Sequence, residues 1–375
     1  VGIIGEKINN PGKGLRILVA PLDWGLGHAT RCIPVIYAFI NAGASVILAG
    51  EAATEAILKK EFPILNFLPL KGYNIKYSKH KRSFFLKLLS QAPRIKKTIH
   101  YEHKWLRKVV KDQKIDGVIS DNRFGLYHST APTVYITHQL HIETGNPWLN
   151  KIAQQIHYNY INRFSQCWVP DAEGPINLAG KLSHTNRLPI VPVKYMGVLS
   201  RFKKQLLPVT NKLLVVLSGP EPQRSIFENI ILLQIKDFGE PVVLVRGLPA
   251  QTATLSFGEN IQVFNHLSSN ELSQKIQQSE MVLARAGYST IMDLAILQQK
   301  AILVPTPGQA EQEYLATYLK QQQLFYTCLQ DKFDLKIALK ESEAFYKTEK
   351  LVPGGLNENL INNWLTDIQK IKASQ

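Results

Sequence analysis

Two series of short apolar runs, each alternating with stretches of helical spacing, organise the chain. The first opens with Arg16-Ile17-Leu18-Val19-Ala20, apolar at consecutive positions and therefore a strand covered on both faces. A glycine-rich turn, Asp23-Trp24-Gly25-Leu26-Gly27-His28, follows it. Ile33, Ile36, Tyr37 and Ile40 then recur at helical spacing until Gly43, and Ser45-Val46-Ile47-Leu48-Ala49 forms a second strand. This is a strand–turn–helix–strand unit. The alternation predicts a helix over 52–61, an extended segment over 64–67 and one or two basic helices over 83–113, interrupted near Pro93. Strands follow at 117–120, 133–137 and 166–169, a helix near 150–163, and a closing strand near 195–198.

Residues 200–211 are polar, contain Pro208 and read as a linker. The second series places strands at 213–217, 242–245, 261–264, 281–284, 301–304 and 324–327. Helices fall at 223–235, 270–278, 289–298, 311–320 and 334–346, and after Pro353-Gly354-Gly355 a last helix at 357–372. The pattern predicts an α/β chain of two doubly wound domains facing a cleft. Its parts are a flexible lead-in over 1–14, a first domain over 15–199, the linker, a second domain over 212–352 and a C-terminal segment over 353–375. In such sheets ligands sit outside the carboxyl ends of the strands, so the loops after strands carry the chemistry.

Composition sharpens this picture. With 375 residues, 45% hydrophobic and 19% charged, the chain has a core large enough for about two domains. Cys32, Cys167 and Cys328 lie far apart without metal-ligand or redox spacing, which points to a reducing compartment and no disulfide scaffold. The net charge of +15 is local. Residues 1–200 carry 26 basic and 12 acidic side chains, and within 71–111 there are 13 basic residues against the single acid Glu102. Lysines there interleave with Phe84, Phe85, Leu86, Leu88, Leu89, Trp105 and Leu106. The segment 76–111 therefore reads either as a core-facing helix with a solvated basic face or as a contact for an anionic membrane surface. No run of 18 uncharged apolar residues exists, and no secretory signal precedes the first strand in a chain that opens at Val1. The expected location is the cytoplasm, or the cytoplasmic face of a membrane. The sequence assigns no oligomeric state.

In the first post-strand loop, Gly25 and Gly27 let the backbone approach a ligand, and His28 stands at a helix start as a candidate base. No third glycine follows at Ala29 or Thr30, and no Gly-Lys-Ser/Thr appears, so neither a dinucleotide fingerprint nor a P-loop is present. Ser120-Asp121-Asn122-Arg123 offers Asp121 as an acceptor-binding group or alternate base. His138-Gln139 falls on the same edge. Asp171 and Glu173 are given no chemistry. In the second series, Gly287, Ser289 and Thr290 open a helix and would face an anion, and Asp293 one turn on would accept ribose hydroxyls. Gln309, Gln312 and Glu313 begin another helix with groups that orient sugar hydroxyls. Ser218, Gly219 and Arg224 form a candidate diphosphate loop, although Pro220 and Pro222 remove two amide donors. His266 lies on the edge where a nucleobase would rest. No carboxylate-x-carboxylate metal motif appears.

Taken together, Gly25-Leu26-Gly27-His28-Ala29-Thr30-Arg31, Arg285-Ala286-Gly287-Tyr288-Ser289-Thr290-Ile291-Met292-Asp293-Leu294 and Pro305-Thr306-Pro307-Gly308-Gln309-Ala310-Glu311-Gln312-Glu313-Tyr314 resemble GT-B-fold glycosyltransferases over roughly residues 15–370. The resemblance is to the MurG-like group, which transfers N-acetylglucosamine from UDP to a lipid-linked acceptor. It implies two Rossmann-like domains and a final helix crossing back to the first domain. It implies a metal-independent, inverting transfer of a hexose or N-acetylhexosamine from a UDP-linked donor. It further implies that Gly25 and Gly27 lie at the cleft with His28 as acceptor-side base or phosphate-contacting group; Arg123, His138 and Gln139 are placed around the acceptor by their positions after strands, not by the resemblance. Gly287, Ser289 and Thr290 would face the diphosphate, with Asp293 in place of the usual glutamate on the ribose. Gln312 and Glu313 would meet the sugar where the group has two glutamines, and Ala316 replaces its asparagine. Partners would be the nucleotide-sugar and a carbohydrate or lipid-linked acceptor, with no cofactor and no nucleic acid. Two other readings share parts of this pattern: a nucleotide-sugar 2-epimerase, and a non-enzymatic carbohydrate or nucleic-acid binding protein.

Overall fold

The computed structural model describes residues 10–23, 26–73, 81–142, 147–249, 251–252, 255, 257–347 and 354–374. The first domain is a parallel sheet of β1 (Arg16–Pro21), β2 (Ser45–Gly50), β3 (Asn66–Pro69), β4 (Gly117–Asp121), β5 (Thr133–Ile136), β6 (Gln166–Val169) and β7 (Val193–Tyr195), in the order β3-β2-β1-β4-β5-β6-β7. Helices α1 (Leu26–Asn41), α2 (Ala52–Glu61), α3 (Lys81–Gln113) and α4 (Pro147–Ile161) connect its strands. The strand order reverses beside β1, where β1 pairs with both β2 and β4. The ends of β1 and β4 therefore border the crevice in which ligands of such sheets sit.

After a two-residue strand β8 (Gly197–Val198), the second domain repeats the plan. Its strands β9 (Asn211–Val216), β10 (Val242–Val245), β11 (Ile261–Phe264), β12 (Ser279–Arg285), β13 (Ala301–Val304) and β14 (Tyr326–Thr327) are parallel in the order β11-β10-β9-β12-β13-β14. Its helices are α5 (Gln223–Ile235), α6 (Ser269–Gln277), α7 (Tyr288–Leu297), α8 (Ala310–Gln321) and α9 (Leu335–Phe345). One strand more, β15 (Gly355–Leu356), pairs antiparallel with β8 and leads into α10 (Glu358–Ala373).

The apolar periodicity of α10 is used against the first domain. Trp364 meets Phe39 of α1 and Trp168 of β6 edge-on, at 5.8 and 5.6 Å between ring centroids. Gly117 of β4 lies under it: a Cβ there would stand 2.6 Å from the Trp364 ring.

Two expectations need correction. Helix α3 runs unbroken through Pro93. Proline inside a helix costs about 3 kcal/mol, and here the inner face supplies anchors: Ile99, Glu102 and Leu106 are all buried. The strand near 195–198 is in fact two, divided at Met196. Gly197, at φ +80°, lets the chain leave the parallel sheet and take β15 as its partner. The charge pattern of α3 is also explained. Its single acid before Asp112, Glu102, points inward and accepts from Tyr73 Oη (2.7 Å), Arg123 Nη1 (2.9 Å) and the Gly125 amide (3.0 Å). Lys96, Lys97, Lys104, Arg107, Lys108 and Lys111 stay exposed. Most of the expected lead-in, residues 1–9, lies outside the described set, as do residues 74–80 and the side chains of 81–90.

Candidate active site

The first turn of α1 stands at the end of β1 and faces α7 of the second domain. Gly27 is required by this approach: its carbonyl accepts from Ser289 Oγ at 3.3 Å, and a Cβ on it would stand 2.7 Å from that oxygen. Gly25 lies outside the described residues. His28 follows, with its side chain 16% exposed and Nδ1 3.2 Å from Asp121 Oδ1. Arg31, one turn on and on the same helix face, grips the same carboxylate. Its Nε donates to Asp121 Oδ2 at 2.7 Å, and its Nη2 donates to Asp121 Oδ1 and approaches His28 Nδ1 at 2.8 Å.

Burial would raise the pKa of Asp121, but Arg31 and His28 outweigh it and hold the carboxyl well below the usual range. Asp121 is fully buried, with both oxygens engaged. It is therefore an orienting anion and not the alternate base expected from sequence. For His28, burial and then Arg31 lower the pKa, so the imidazole is neutral near pH 7.

His138 and Gln139, expected beside the acceptor, reach the other domain instead. His138 Nε2 lies 2.8 Å from Glu311 Oε1, and Gln139 Nε2 donates to Glu311 Oε2. Arg123 is also displaced from its expected place. It is wholly buried and bonds the Pro21 and Lys71 carbonyls and Glu102, which fastens the β1 and β4 loops to α3.

Across the cleft, three helices start at the centre of the second sheet, after β9, β12 and β13. Their N-cap residues Pro222, Gly287 and Gln309 give no side-chain bond to the first amides of α5, α7 and α8. In α5 a neighbour partly compensates, because Glu221 accepts from the Ser225 amide at 3.2 Å. Toward the edges of that sheet, α6 is capped by Ser268 and α9 by Asp334. The starts of α7 and α8 thus keep amide N–H groups that no capping side chain among the described residues takes up, together with the positive end of the helix dipole. Gly287 precedes α7 in an extended conformation, and the atom nearest to a Cβ there would be Thr290 Oγ1, 3.9 Å away. Ser218 and Gly219 are exposed, and Gly219 takes φ +103°. Thr306 is buried and its hydroxyl has no hydrogen-bond partner among the described residues; it lies 3.8 Å from where a Gly219 Cβ would be.

Other donor-side expectations are redistributed. Arg224 does not face a diphosphate: its guanidinium pairs with Glu221 (2.6 Å) and Glu228 (3.0 Å) and bonds the Arg246 carbonyl. Gln312 and Glu313 fold back onto the loop before α8, accepting from the Thr306 and Gly308 amides at 2.9 Å each. Gln309 is the residue preceding α8, and its side chain makes no cap. His266 is exposed, in the field of Lys60 and Arg201. Asp293 accepts from the linker hydroxyl of Ser200 at 2.6 Å. Burial raises its pKa to about 6, against the pull of Arg201 and the Ser200 bond.

Three members of the site were not singled out from sequence. Arg31 had a signal, its i, i+3 spacing from His28 on one helix face. Glu311 and Tyr288 had none, because their partners lie more than a hundred residues away in the other domain.

Comparison with known proteins agrees with this architecture. Residues 244–350 match the model of the glycosyltransferase family 28 C-terminal domain. An uncharacterized glycosyltransferase of Methanosarcina acetivorans is 22% identical over 342 residues, spanning 82% of this chain and 84% of its own. The UDP-N-acetylglucosamine--N-acetylmuramyl-(pentapeptide) pyrophosphoryl-undecaprenol N-acetylglucosamine transferase of Clostridium tetani is 24% identical over 295 residues, spanning 76% of each. Among solved structures, the glycotransferase of kitacinnamycin superposes with a TM-score of 0.60 at 11% identity, covering 96% of this chain and 95% of that one. The chain is a glycosyltransferase of the GT-B fold. Within that class it is MurG-like, and its second domain holds the family 28 C-terminal match.

Proposed function

We propose that the chain transfers a hexose or N-acetylhexosamine from a UDP-linked donor to a hydroxyl of a lipid-borne acceptor, with inversion. The observation that carries this reading is His28. It is partly exposed and backed by Asp121, and it stands opposite the uncapped starts of α7 and α8. His28 Nδ1 lies between Asp121 Oδ1 at 3.2 Å and Arg31 Nη2 at 2.8 Å; in the tautomer that gives Nδ1–H to Asp121, Nε2 takes the acceptor's proton. The acceptor oxygen forms its bond to the anomeric carbon as the bond from that carbon to the diphosphate oxygen breaks. A single displacement of this kind inverts the centre. The departing UDP carries the growing negative charge toward the α7 and α8 amides and the Thr306 hydroxyl, which are fixed donors before the reaction begins. Ser289 and Thr290 would add hydroxyls, and Asp293 would exchange Ser200 for the ribose.

Calorimetry with UDP, GDP, ADP, dTDP and their sugar conjugates, with and without magnesium, tests the donor. UDP compounds should bind best. Their affinity should rise as pH passes upward through about 6, where Asp293 loses its proton and becomes a pure acceptor. Asp293→Ala should weaken binding and remove that pH dependence. Preference for another nucleotide, or a flat profile in the parent protein, defeats the assignment.

The acceptor's lipid character draws on a neighbouring surface. Trp148, Ile152 and Ile156, each four residues apart on α4, are 78%, 55% and 52% exposed. Tyr160 of the same helix packs against the apolar cluster that contains Ile99 of α3, so the helix carrying this stripe adjoins the basic helix. No described helix is long and apolar enough to cross a membrane. Sedimentation with phosphatidylglycerol vesicles should be salt-sensitive and should be lost in Ile152→Ser/Ile156→Ser. Unchanged sedimentation of the variant rejects this surface.

A further inference from the structure

We propose that Glu311, supplied by the second domain, is a positioning residue for His28: with His138 and Arg31 it completes a charged relay across the cleft that holds the imidazole ready to accept a proton. The inference rests on the glycosyltransferase reading with His28 as base.

The protons of the relay follow from its donors. A guanidinium only donates. Arg31 Nη1 lies 3.2 Å from His138 Nδ1, so that nitrogen accepts and the proton of His138 sits on Nε2. From Nε2 it is given to Glu311 Oε1 at 2.8 Å, while Glu311 Oε2 accepts from Gln139. The His138 ring cannot turn freely. It stacks on Tyr288 at 4.1 Å and 9°, and Tyr288 Oη is itself tied to the Pro170 carbonyl at 2.7 Å. Two elements of the second domain, α7 through Tyr288 and α8 through Glu311, thus fix one histidine of the first.

Charge makes this arrangement matter to His28. The groups acting on it are Arg31 of its own helix, Asp121 of β4, His138 after β5 and Glu311 of α8, with Cys32 beside Asp121 and Tyr288 stacked on His138. Without Glu311, one cation and one anion face the imidazole, and burial together with Arg31 disfavours its protonation. With Glu311 the cluster carries a net negative charge, which favours the imidazolium that forms as the acceptor loses its proton. The second anion also draws on Arg31 through His138, which eases the competition at His28 Nδ1 between Arg31 Nη2 and Asp121 Oδ1. The donor-binding domain therefore contributes to the base only when it is docked. A donor held while the domains are apart meets a weaker base, and its loss to water is reduced.

The test uses the full chain with ¹⁵N-labelled imidazoles. The His28 resonance, identified by its disappearance in His28→Ala, is titrated in the parent protein, Glu311→Gln and Glu311→Asp. UDP release from UDP-N-acetylglucosamine is measured across the same pH range. In Glu311→Gln, His28 should titrate at lower pH, and the acidic limb of kcat should move the same way. kcat should fall about tenfold while KM stays within about twofold, since only the base is affected. Glu311→Asp should restore part of both. An unmoved His28 titration overturns the proposal, as does a moved titration with unchanged kcat. If the parent protein neither binds nor consumes the UDP-sugar, the donor reading fails, while the titration still decides the relay.

Discussion

His28→Ala is expected to lower kcat for UDP release from the sugar donor by about 10²–10⁴-fold, the usual contribution of a positioned general base. The same change should leave UDP affinity nearly unaltered, because His28 stands on the first domain and the uncapped helix starts stand on the second. Calorimetry and a steady-state assay on one preparation separate the two. His28→Gln adds a useful arm: it keeps a hydrogen-bonding side chain of similar reach but cannot accept the proton at pH 7, so it should be as slow as alanine. Retention of the parent rate in either variant would remove His28 from the chemistry. A parallel loss of UDP affinity would move it to the donor side.

Asp121→Asn should destabilise the fold by about 3–5 kcal/mol, because removing one partner of a buried ion pair leaves the other charge uncompensated. Arg31 is 4% exposed, so water cannot replace the lost anion. Urea denaturation measures the loss. The pH dependence has a definite sign. The folded-state pKa of Asp121 is depressed, so its contribution is fully present above the unfolded value of 3.8 and disappears as pH falls below it. The double change Asp121→Leu/Arg31→Met removes both charges and should regain much of the stability without regaining activity. A cost below about 1 kcal/mol for Asp121→Asn would mean that the pair is exposed to solvent in solution.

The period of the apolar positions revealed most of the architecture, for a physical reason. Strands such as Val242–Val245 and Ala301–Val304 are covered by helices on both faces, so every position is apolar and the ends are sharp. Strand ends beside the cleft were less sharp. The run expected over 133–137 gives up Thr137 to the loop after β5. Strand β12 extends through Arg285 because that side chain is buried over Phe227, 4.2 Å from its ring centroid. The site divides along the same line. His28, Asp121 and Gly27 were visible because each lies at or just after the end of a strand. Arg123 and Arg224 look the same in one dimension, yet each found a carboxylate within its own domain, Glu102 and Glu228. Which cation meets a ligand and which meets a buried acid depends on packing between segments that the local pattern does not contain. The Glu311–His138 pair spans 173 residues and carries no local mark at all.

The return of α10 to the first domain has a mechanical consequence. The polypeptide passes between the domains twice, once after β8 and once before β15, and the β8–β15 ladder sets these passages side by side. Two tethers joined by an antiparallel ladder resist twisting and shear better than one, and bending at Gly197 and Gly355 is the motion they would least oppose. Both of these glycines have positive φ, +80° and +117°. Ser200, bonded to Asp293, lies only three residues beyond Gly197 on the linker side. A ligand that displaces Ser200 from Asp293 therefore acts close to the paired tethers rather than at the rim of the cleft.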